Sequence, residues 1–329
     1  MNNQEKIEFN QARKFGDKIN ITFSYVSQNF KSLALSLIYI LAPFVLIGGI
    51  AFGYLMDWYF RLIGNVTGGQ DPISMMDIPT LTVAALGISI AMVFSVSLIV
   101  TVVYSHMMIY KETELHKIEV SEVWERVKSE FSGILGLQIG LFIILIFGGI
   151  IIGGILIGIP IFIDSIFLSV LGGLGLYILI IYISIALSLT YVIKMNEKLE
   201  FFALIQRSLY LIRGKWWSTF GLLFIMQLIA AMISYLFAIP LYIMMFANIF
   251  HSIETGSGNP FEGMEGMGFF GIAAYTLYLF GYFLVYSLPF IALGFQYFNL
   301  IELKEAAGLM GKIETIGNEE ISDDSDEDY

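Results

Sequence analysis

The chain offers few side chains that could perform catalysis or bind a metal ion. It has no cysteine and three histidines, which excludes thiol nucleophiles, disulfides and cysteine-based zinc sites. Glu112, His116 and Glu119 follow one another at spacings of four and three, so on a helix they would share a face and could hold a divalent metal ion. Polar segments of this kind are more often solvated helix faces, and we therefore predict no metal site.

Two further motifs lack the context that their chemistry needs. Gly256-Ser257-Gly258 lies near His251, but no predicted strand precedes this triplet, as a nucleophile elbow requires. Every glycine cluster that could cradle a phosphate falls inside an apolar segment. The sequence predicts no catalytic residue and no cofactor, and hence a protein that is not an enzyme.

Basic residues beside the apolar segments are the main candidates for binding. Each lysine or arginine near an anionic membrane surface contributes about 1 kcal/mol of attraction. The residues that we expect to contact anionic lipid, or another membrane protein, are Lys117, Arg126, Lys198, Arg207, Arg213 and Lys215. We expect no nucleic acid among the partners.

Uncharged polar side chains inside the apolar segments form a second candidate site. They are Tyr275, Tyr278, Tyr282, Tyr286, Gln138 and Gln227. They could form hydrogen bonds between helices, or they could line an uncharged cavity for a small polar solute or a lipid. No ionisable residue lies in the middle of these segments, which argues against a proton pump or a cation exchanger. A permease for a small solute or a lipid is the alternative hypothesis.

The elements that must position these residues are segments long enough to cross a bilayer. The chain is 57% hydrophobic and 14% charged, and a spanning helix needs roughly 20 mostly apolar residues. Six segments qualify, at about 33–56, 80–105, 132–158, 166–193, 216–246 and 269–300. All of the 17 lysines and arginines except Arg61 fall on one side of this topology. The positive-inside rule makes that side the cytoplasm, so we predict a multi-pass protein of the bacterial inner membrane with both termini cytoplasmic.

Amphipathic stretches precede the first, third and fifth spans. Apolar residues recur in them at spacings of three or four: Phe15, Ile19, Phe23, Val26 and Phe30; Val120, Val123, Trp124, Val127 and Phe131; Phe202, Ile205, Leu209, Ile212 and Trp216. Polar residues such as Lys14 and Lys18 fall on the opposite side of the first stretch. None of the three is long enough to span, so we expect each to lie flat at the cytoplasmic interface.

These stretches also indicate an internal repeat. Tyr110, Lys117, Glu119 and Arg126 recur 81 residues later as Tyr191, Lys198, Glu200 and Arg207. The predicted fold is an all-α integral membrane protein with six transmembrane helices, arranged as three parallel repeats of an interfacial amphipathic helix plus a transmembrane hairpin. The membrane domain covers residues 1–314, with repeats at about 7–110, 111–194 and 195–301 and a C-terminal interfacial helix at 302–314.

Glycine pairs are concentrated in the third span. Gly136 with Gly140, Gly149 with Gly153, and Gly154 with Gly158 have the spacing that lets helix backbones approach closely in lipid. We expect this span to be central to the packing of the bundle, with an oligomer interface as the alternative.

Acidic residues dominate the remaining segment, 315–329. Seven of its acids fall in the last eleven positions: Glu319, Glu320, Asp323, Asp324, Asp326, Glu327 and Asp328. A segment with this composition cannot bury enough apolar surface to fold by itself. We expect a disordered, solvated tail, with a contact to a basic partner as the alternative.

Two segments resemble known membrane proteins. FALIQRSLYLIRGKWWSTF, at 202–220, combines an Arg-Ser pair, a basic-Gly-basic turn and aromatic residues that open a span. It resembles the six-span membrane domain of some bacterial glycerophosphoryl diester phosphodiesterases and related stand-alone six-span bacterial proteins. KFGDKINITFSYVSQNFKSL, at 14–33, is similar to the opening of a related group, some of which carry a beta-carotene monooxygenase label.

The resemblance implies the six-span fold and no activity. The phosphodiesterase activity belongs to a separate soluble domain, for which the segments outside the spans leave no room. A carotenoid oxygenase holds its iron with four histidines, and this chain has three.

Overall fold

The computed structural model describes residues 6–67, 78–113, 117–256 and 268–306. Within these ranges every regular element is a helix. The helices are α1 (Phe15–Thr67), α2 (Ile78–Glu112), α3 (Val120–Gly153), α4 (Ile159–Phe162), α5 (Ile166–Ala186), α6 (Thr190–Glu197), α7 (Phe201–Ile212), α8 (Trp216–Phe237), α9 (Ile239–Thr255) and α10 (Gly268–Glu305). A π-helical turn, Gly154–Gly158, joins α3 to α4.

Six helices of the described chain are long and apolar enough to cross a membrane, which confirms the predicted number. They are Phe15–Ile63, Ile78–Glu112, Val120–Phe162, Ile166–Glu197, Trp216–Phe237 and Phe269–Glu305. Their composition is that of a multi-pass membrane protein.

The core of the molecule lies between α1, α2 and α10, and α8 packs against α10. Half of the residues in the most apolar window of α1, and 56% of those in α10, are buried. Gly49 of α1 allows the close approach to α10, because a Cβ at this position would lie 2.9 Å from the Cα of Thr276. Such glycine contacts are a common way to pack helices in lipid.

Helices α3 and α5 form a hairpin at the periphery instead. None of the residues in their most apolar windows is buried. Among the described residues, a Cβ added to four of the glycines of this span would have no neighbouring atom within 4 Å: Gly136, Gly149, Gly154 and Gly158. A Cβ at Gly140 would meet Phe201, and one at Gly153 would meet Leu176. The expectation that the third span is central to packing was therefore wrong, because the glycine spacing does not say which helix, if any, uses it.

The amphipathic stretches also differ from the expectation. Residues 15–31 and 120–131 continue without a break into α1 and α3, and only the third stretch forms a separate helix, α7. In α1 the face that points into the core is not the predicted apolar stripe: Lys18, Thr22 and Tyr25 are at most 3% exposed, whereas Phe30 of that stripe is 61% exposed. Of the predicted polar side only Lys18 is buried, because Ser218 and Gln296 from distant helices accept its hydrogen bonds, whereas Lys14 stays exposed.

The proposed C-terminal interfacial helix and the acidic tail fall mostly outside the described residues. Positions 302–305 form the last turn of α10. Three parts of the prediction lie outside the described ranges: residues 307–314 of the predicted interfacial helix, the whole of 315–329, and His116 of the candidate metal triad.

Candidate functional site

One of the six predicted basic contacts is Arg207 on α7. Carboxylates of the same chain neutralise its charge. Its Nε lies 2.9 Å from Glu197 Oε2, and its Nη2 lies 2.9 Å from Glu305 Oε2. The Tyr297 hydroxyl donates to Glu197 Oε1 at 2.9 Å and accepts from Asn196 Nδ2 at 2.7 Å. Hydrogen bonds to Glu305 and then to Glu197 raise the pKa of Arg207 above its ordinary value. We call Arg207 with Glu197 and Glu305 the carboxylate clamp.

Arg126 on α3 is neutralised in the same way. Its two terminal nitrogens lie 2.6 and 2.9 Å from the carboxylate oxygens of Glu112, the last residue of α2. Arg126 and Arg207 are the pair related by the 81-residue offset, and each binds a glutamate at the end of an earlier helix. Both guanidinium groups are therefore engaged in bidentate pairs rather than free to meet a ligand.

Lys117 and Lys198 are exposed, and Lys198 lies close enough to Glu112 for its charge to act on that carboxylate. Lys198 ends α6 with a left-handed backbone, φ 52°. Lys198 therefore lies near the Arg126–Glu112 pair, and away from the turn between α7 and α8.

Arg213 and Lys215 are brought together with Lys304 at the turn between α7 and α8. Both are exposed, and they flank Gly214, whose φ of +77° is a conformation that favours glycine. The Lys304 ammonium donates to the Arg213 carbonyl at 3.1 Å and to the Tyr210 carbonyl. The end of α10 is thereby fastened to this turn.

A fourth cation, Lys18 of α1, is buried beside the same turn. Its Nζ donates to Ser218 Oγ at 2.9 Å and to Gln296 Oε1 at 2.8 Å. Gln296 in turn donates to Thr219 Oγ1 at 2.9 Å. The charge of Lys215 lies close enough to repel that of Lys18. We call Lys18, Arg213, Lys215 and Lys304 the basic corner.

The basic corner carries positive charge that the described chain does not neutralise. No carboxylate of the described residues pairs with Lys18, Arg213 or Lys215. Ser218 and Thr219 belong to the first turn of α8, where the helix dipole adds partial positive charge. Burying an ammonium among neutral groups is unfavourable, so the corner is suited to an anion that supplies the missing charge.

Aromatic side chains surround the corner. Trp217 is 77% exposed, and Trp216 stacks on Tyr182 with ring centroids 5.3 Å apart. The Lys304 ammonium lies 4.7 Å from the centre of the Tyr210 ring. Tryptophan and tyrosine beside cations are typical of the headgroup region of a membrane.

A second polar cluster is enclosed between α1 and α2. His106 Nδ1 is 2.6 Å from the Tyr25 hydroxyl, and His106 Nε2 is 2.8 Å from Ser32 Oγ. The ring of Phe9, from the segment before α1, packs on Tyr25 and Tyr110 and seals this cluster. Its hydrogen bonds are satisfied internally, so it stabilises the core.

Sequence reasoning missed Lys18, Gln296 and the His106 cluster. Lys18, Thr22, Tyr25, Ser32 and Ser36 recur at helical spacing, and all but Ser32 are buried. These polar residues continue along one side of α1 into its apolar part. This pattern could have predicted a buried polar face, since polar groups at that depth must face protein.

The predicted tyrosines Tyr275, Tyr278, Tyr282 and Tyr286 follow one another at spacings of three or four along α10, where the Tyr282 ring stacks on the Tyr286 ring with centroids 5.2 Å apart. Tyr278 and Tyr282 border a cavity of about 310 Å³ between α1, α2 and α10. Its other lining residues, including Phe44, Phe52 and Met92, are apolar.

The other members of the predicted lining lie elsewhere. Tyr275 packs edge-on against Phe52, which does border the cavity, and Gln227 lies beside Tyr286. Gln138 accepts from Ser97 Oγ at 2.7 Å and so ties α3 to α2. Hydrogen bonding between helices accounts for Gln138, and the cavity gathers only part of the predicted set.

Comparison with protein-family models, with curated proteins and with solved structures finds no match for this chain. The resemblance to the phosphodiesterase membrane domain therefore stays a prediction.

Proposed function

We propose that this chain is a non-enzymatic protein of the bacterial inner membrane that holds the phosphate headgroup of an anionic lipid at its basic corner. In this arrangement both termini and the corner face the cytoplasm, as the distribution of lysine and arginine favours. The headgroup phosphate accepts hydrogen bonds from Lys18, Arg213 and Lys215, and the exposed Trp217 lies at the level of the headgroups.

One observation carries this proposal: Lys18 is 3% exposed, yet the hydrogen-bond acceptors that the described residues offer its ammonium are an uncharged amide and a hydroxyl. Elsewhere on the chain Arg126 and Arg207 are paired with glutamates. A buried charge without a counter-charge is expensive to keep, and a bound phosphate supplies that counter-charge.

Lipid retention tests the proposal. The protein is purified in mild detergent, and its affinity for phosphatidylglycerol and for phosphatidylcholine is measured. The double variant Arg213→Gln/Lys215→Gln should lose about 2 kcal/mol of phosphatidylglycerol binding, roughly 30-fold in Kd, since each cation contributes about 1 kcal/mol.

The matched control is Lys117→Gln/Lys198→Gln, which removes the same charge from two exposed lysines outside the basic corner. We expect a loss of less than threefold. An equal loss in both variants would mean that the whole basic face attracts lipid and that the corner is no site. Co-purification of another subunit in place of lipid would favour a partner protein.

The alternative, a permease for a small solute or a lipid, has the cavity beside Tyr278 and Tyr282 as its support. Its apolar lining suits an acyl chain better than a polar solute. Scrambling of fluorescent phosphatidylglycerol in proteoliposomes tests it, with Met92→Trp as the variant that fills the cavity. Scrambling that is equal with and without the protein would exclude this role.

A further inference from the structure

We propose that the acidic residues 319–328 of the same chain bind the basic corner and compete there with anionic lipid. This inference rests on the proposed function, because it assigns a regulator to the same site. The tail would act as an internal substitute for the headgroup phosphate.

Charge complementarity is the first argument. Residues 319–328 contain seven acids and no lysine or arginine. Carboxylates and phosphates bind lysine and arginine through the same charge-assisted hydrogen bonds. The clamp already shows this chemistry, since Glu197 and Glu305 hold Arg207. Lys18, Arg213 and Lys215 are cations that no carboxylate of the described chain pairs with.

The position of the tail along the chain is the second argument. Lys304, one residue before the end of α10, is hydrogen-bonded to the turn that carries Arg213. Glu319 follows Ala306 by 13 residues, which span at most about 45 Å when extended at ~3.5 Å each. The acids therefore start within reach of the corner, and a short tether of this kind gives an effective concentration on the order of millimolar.

Competition follows from these two features. On a weakly charged membrane the tail occupies the corner, and on a membrane rich in anionic lipid the headgroups displace it. Because the contacts lie near the protein surface, salt weakens both interactions. The corner then binds lipid headgroups only above a threshold content of anionic lipid.

Proximity is tested by cross-linking, which the absence of cysteine makes clean. Ser325→Cys in the tail is paired with Trp217→Cys at the corner, and the yield of oxidative disulfide is measured in zwitterionic detergent. The matched control pairs Ser325→Cys with Ser121→Cys, an exposed position at the start of the third candidate span. We expect at least a fivefold higher yield at Trp217, lost in 0.5 M salt. Equal yields at the two positions would overturn the proposal.

Competition is tested on lipid binding with the full chain. The variant Asp323→Asn/Asp324→Asn/Asp326→Asn/Glu327→Gln/Asp328→Asn should bind phosphatidylglycerol at least threefold more tightly at low ionic strength. Unchanged binding would overturn the inference, while the proposed function would stand if Arg213→Gln/Lys215→Gln still loses lipid. If that double variant keeps its lipid, the proposed function fails, and the cross-linking result alone decides whether the tail contacts the corner.

Discussion

The carboxylate clamp and the basic corner are built from similar residues near the end of α10, yet their electrostatics are opposite. Arg207 is held by Glu197 and Glu305, so the clamp closes on itself. Lys18 is more deeply buried, at 3% exposure, and donates its hydrogen bonds to the uncharged side chains of Gln296 and Ser218. The difference shows that a conspicuous arginine can be paired within the chain while a lysine of an amphipathic helix is buried among neutral groups.

The largest expected effect comes from breaking the clamp. Arg207→Gln leaves two glutamates close together without a cation and should lower the free energy of unfolding by about 3 kcal/mol. The measurement is thermal unfolding in detergent at neutral pH. Arg213→Gln, which removes an exposed cation of the corner, is the control and should leave stability within about 0.5 kcal/mol of the wild type.

A compensated variant sharpens this result. Arg207→Gln combined with Glu197→Gln and Glu305→Gln leaves no charge unpaired and should recover part of the lost stability. A single Arg207→Gln variant as stable as the wild type would contradict the assignment of the clamp as a structural element.

The second prediction concerns a variant in which Lys18 of the basic corner gains a carboxylate partner, as Arg207 has in the clamp. Gln296→Glu places a carboxylate 2.8 Å from the Lys18 ammonium with little change of shape. The internal counter-charge should weaken phosphatidylglycerol binding by about tenfold, or 1.4 kcal/mol, while leaving binding to phosphatidylcholine unchanged. Lipid titration at low ionic strength measures both.

Asn299→Asp is the matched control for that experiment. Asn299 lies one turn further along α10 and accepts from the Arg13 backbone N–H at 2.7 Å. The Asn299→Asp substitution adds the same charge away from Lys18, so it should change lipid affinity by less than twofold. A loss as large as that of Gln296→Glu would show that net charge, and not the counter-charge at Lys18, governs binding.

The smallest effect is expected at the turn that separates the two regions. Gly214→Ala puts a side chain on a residue with a φ of +77° and should cost about 1 kcal/mol of stability. Since Arg213 and Lys215 flank this residue, lipid affinity should also fall. A variant with reduced stability and unchanged affinity would mean that the turn geometry does not position the corner.

Much of the fold could be predicted from local composition. The six long apolar segments needed no knowledge of their neighbours, because transfer of a helix into lipid depends on the residues of that helix alone. The amphipathic periodicity of residues 15–31 also correctly predicted a helix. Its buried side was not predictable, since a polar stripe can face water or a polar interior with the same spacing.

The candidate site was predictable only in part. Arg213 and Lys215 were identified because a positive cluster opens the fifth apolar segment. Lys18 and Gln296 were not, since 278 residues separate the ammonium from the amide that holds it.

The sequence by itself thus determined an all-helical chain with six segments able to cross a membrane and nearly all of its cations on one side. Only the tertiary structure decided which cations have a counter-charge. Arg207 is paired with Glu305, 98 positions away, and Lys18 is hydrogen-bonded to neutral side chains of α8 and α10. The physical reason is that a counter-charge acts through space over a few ångströms, and which residues come that close is set by the packing of the helices.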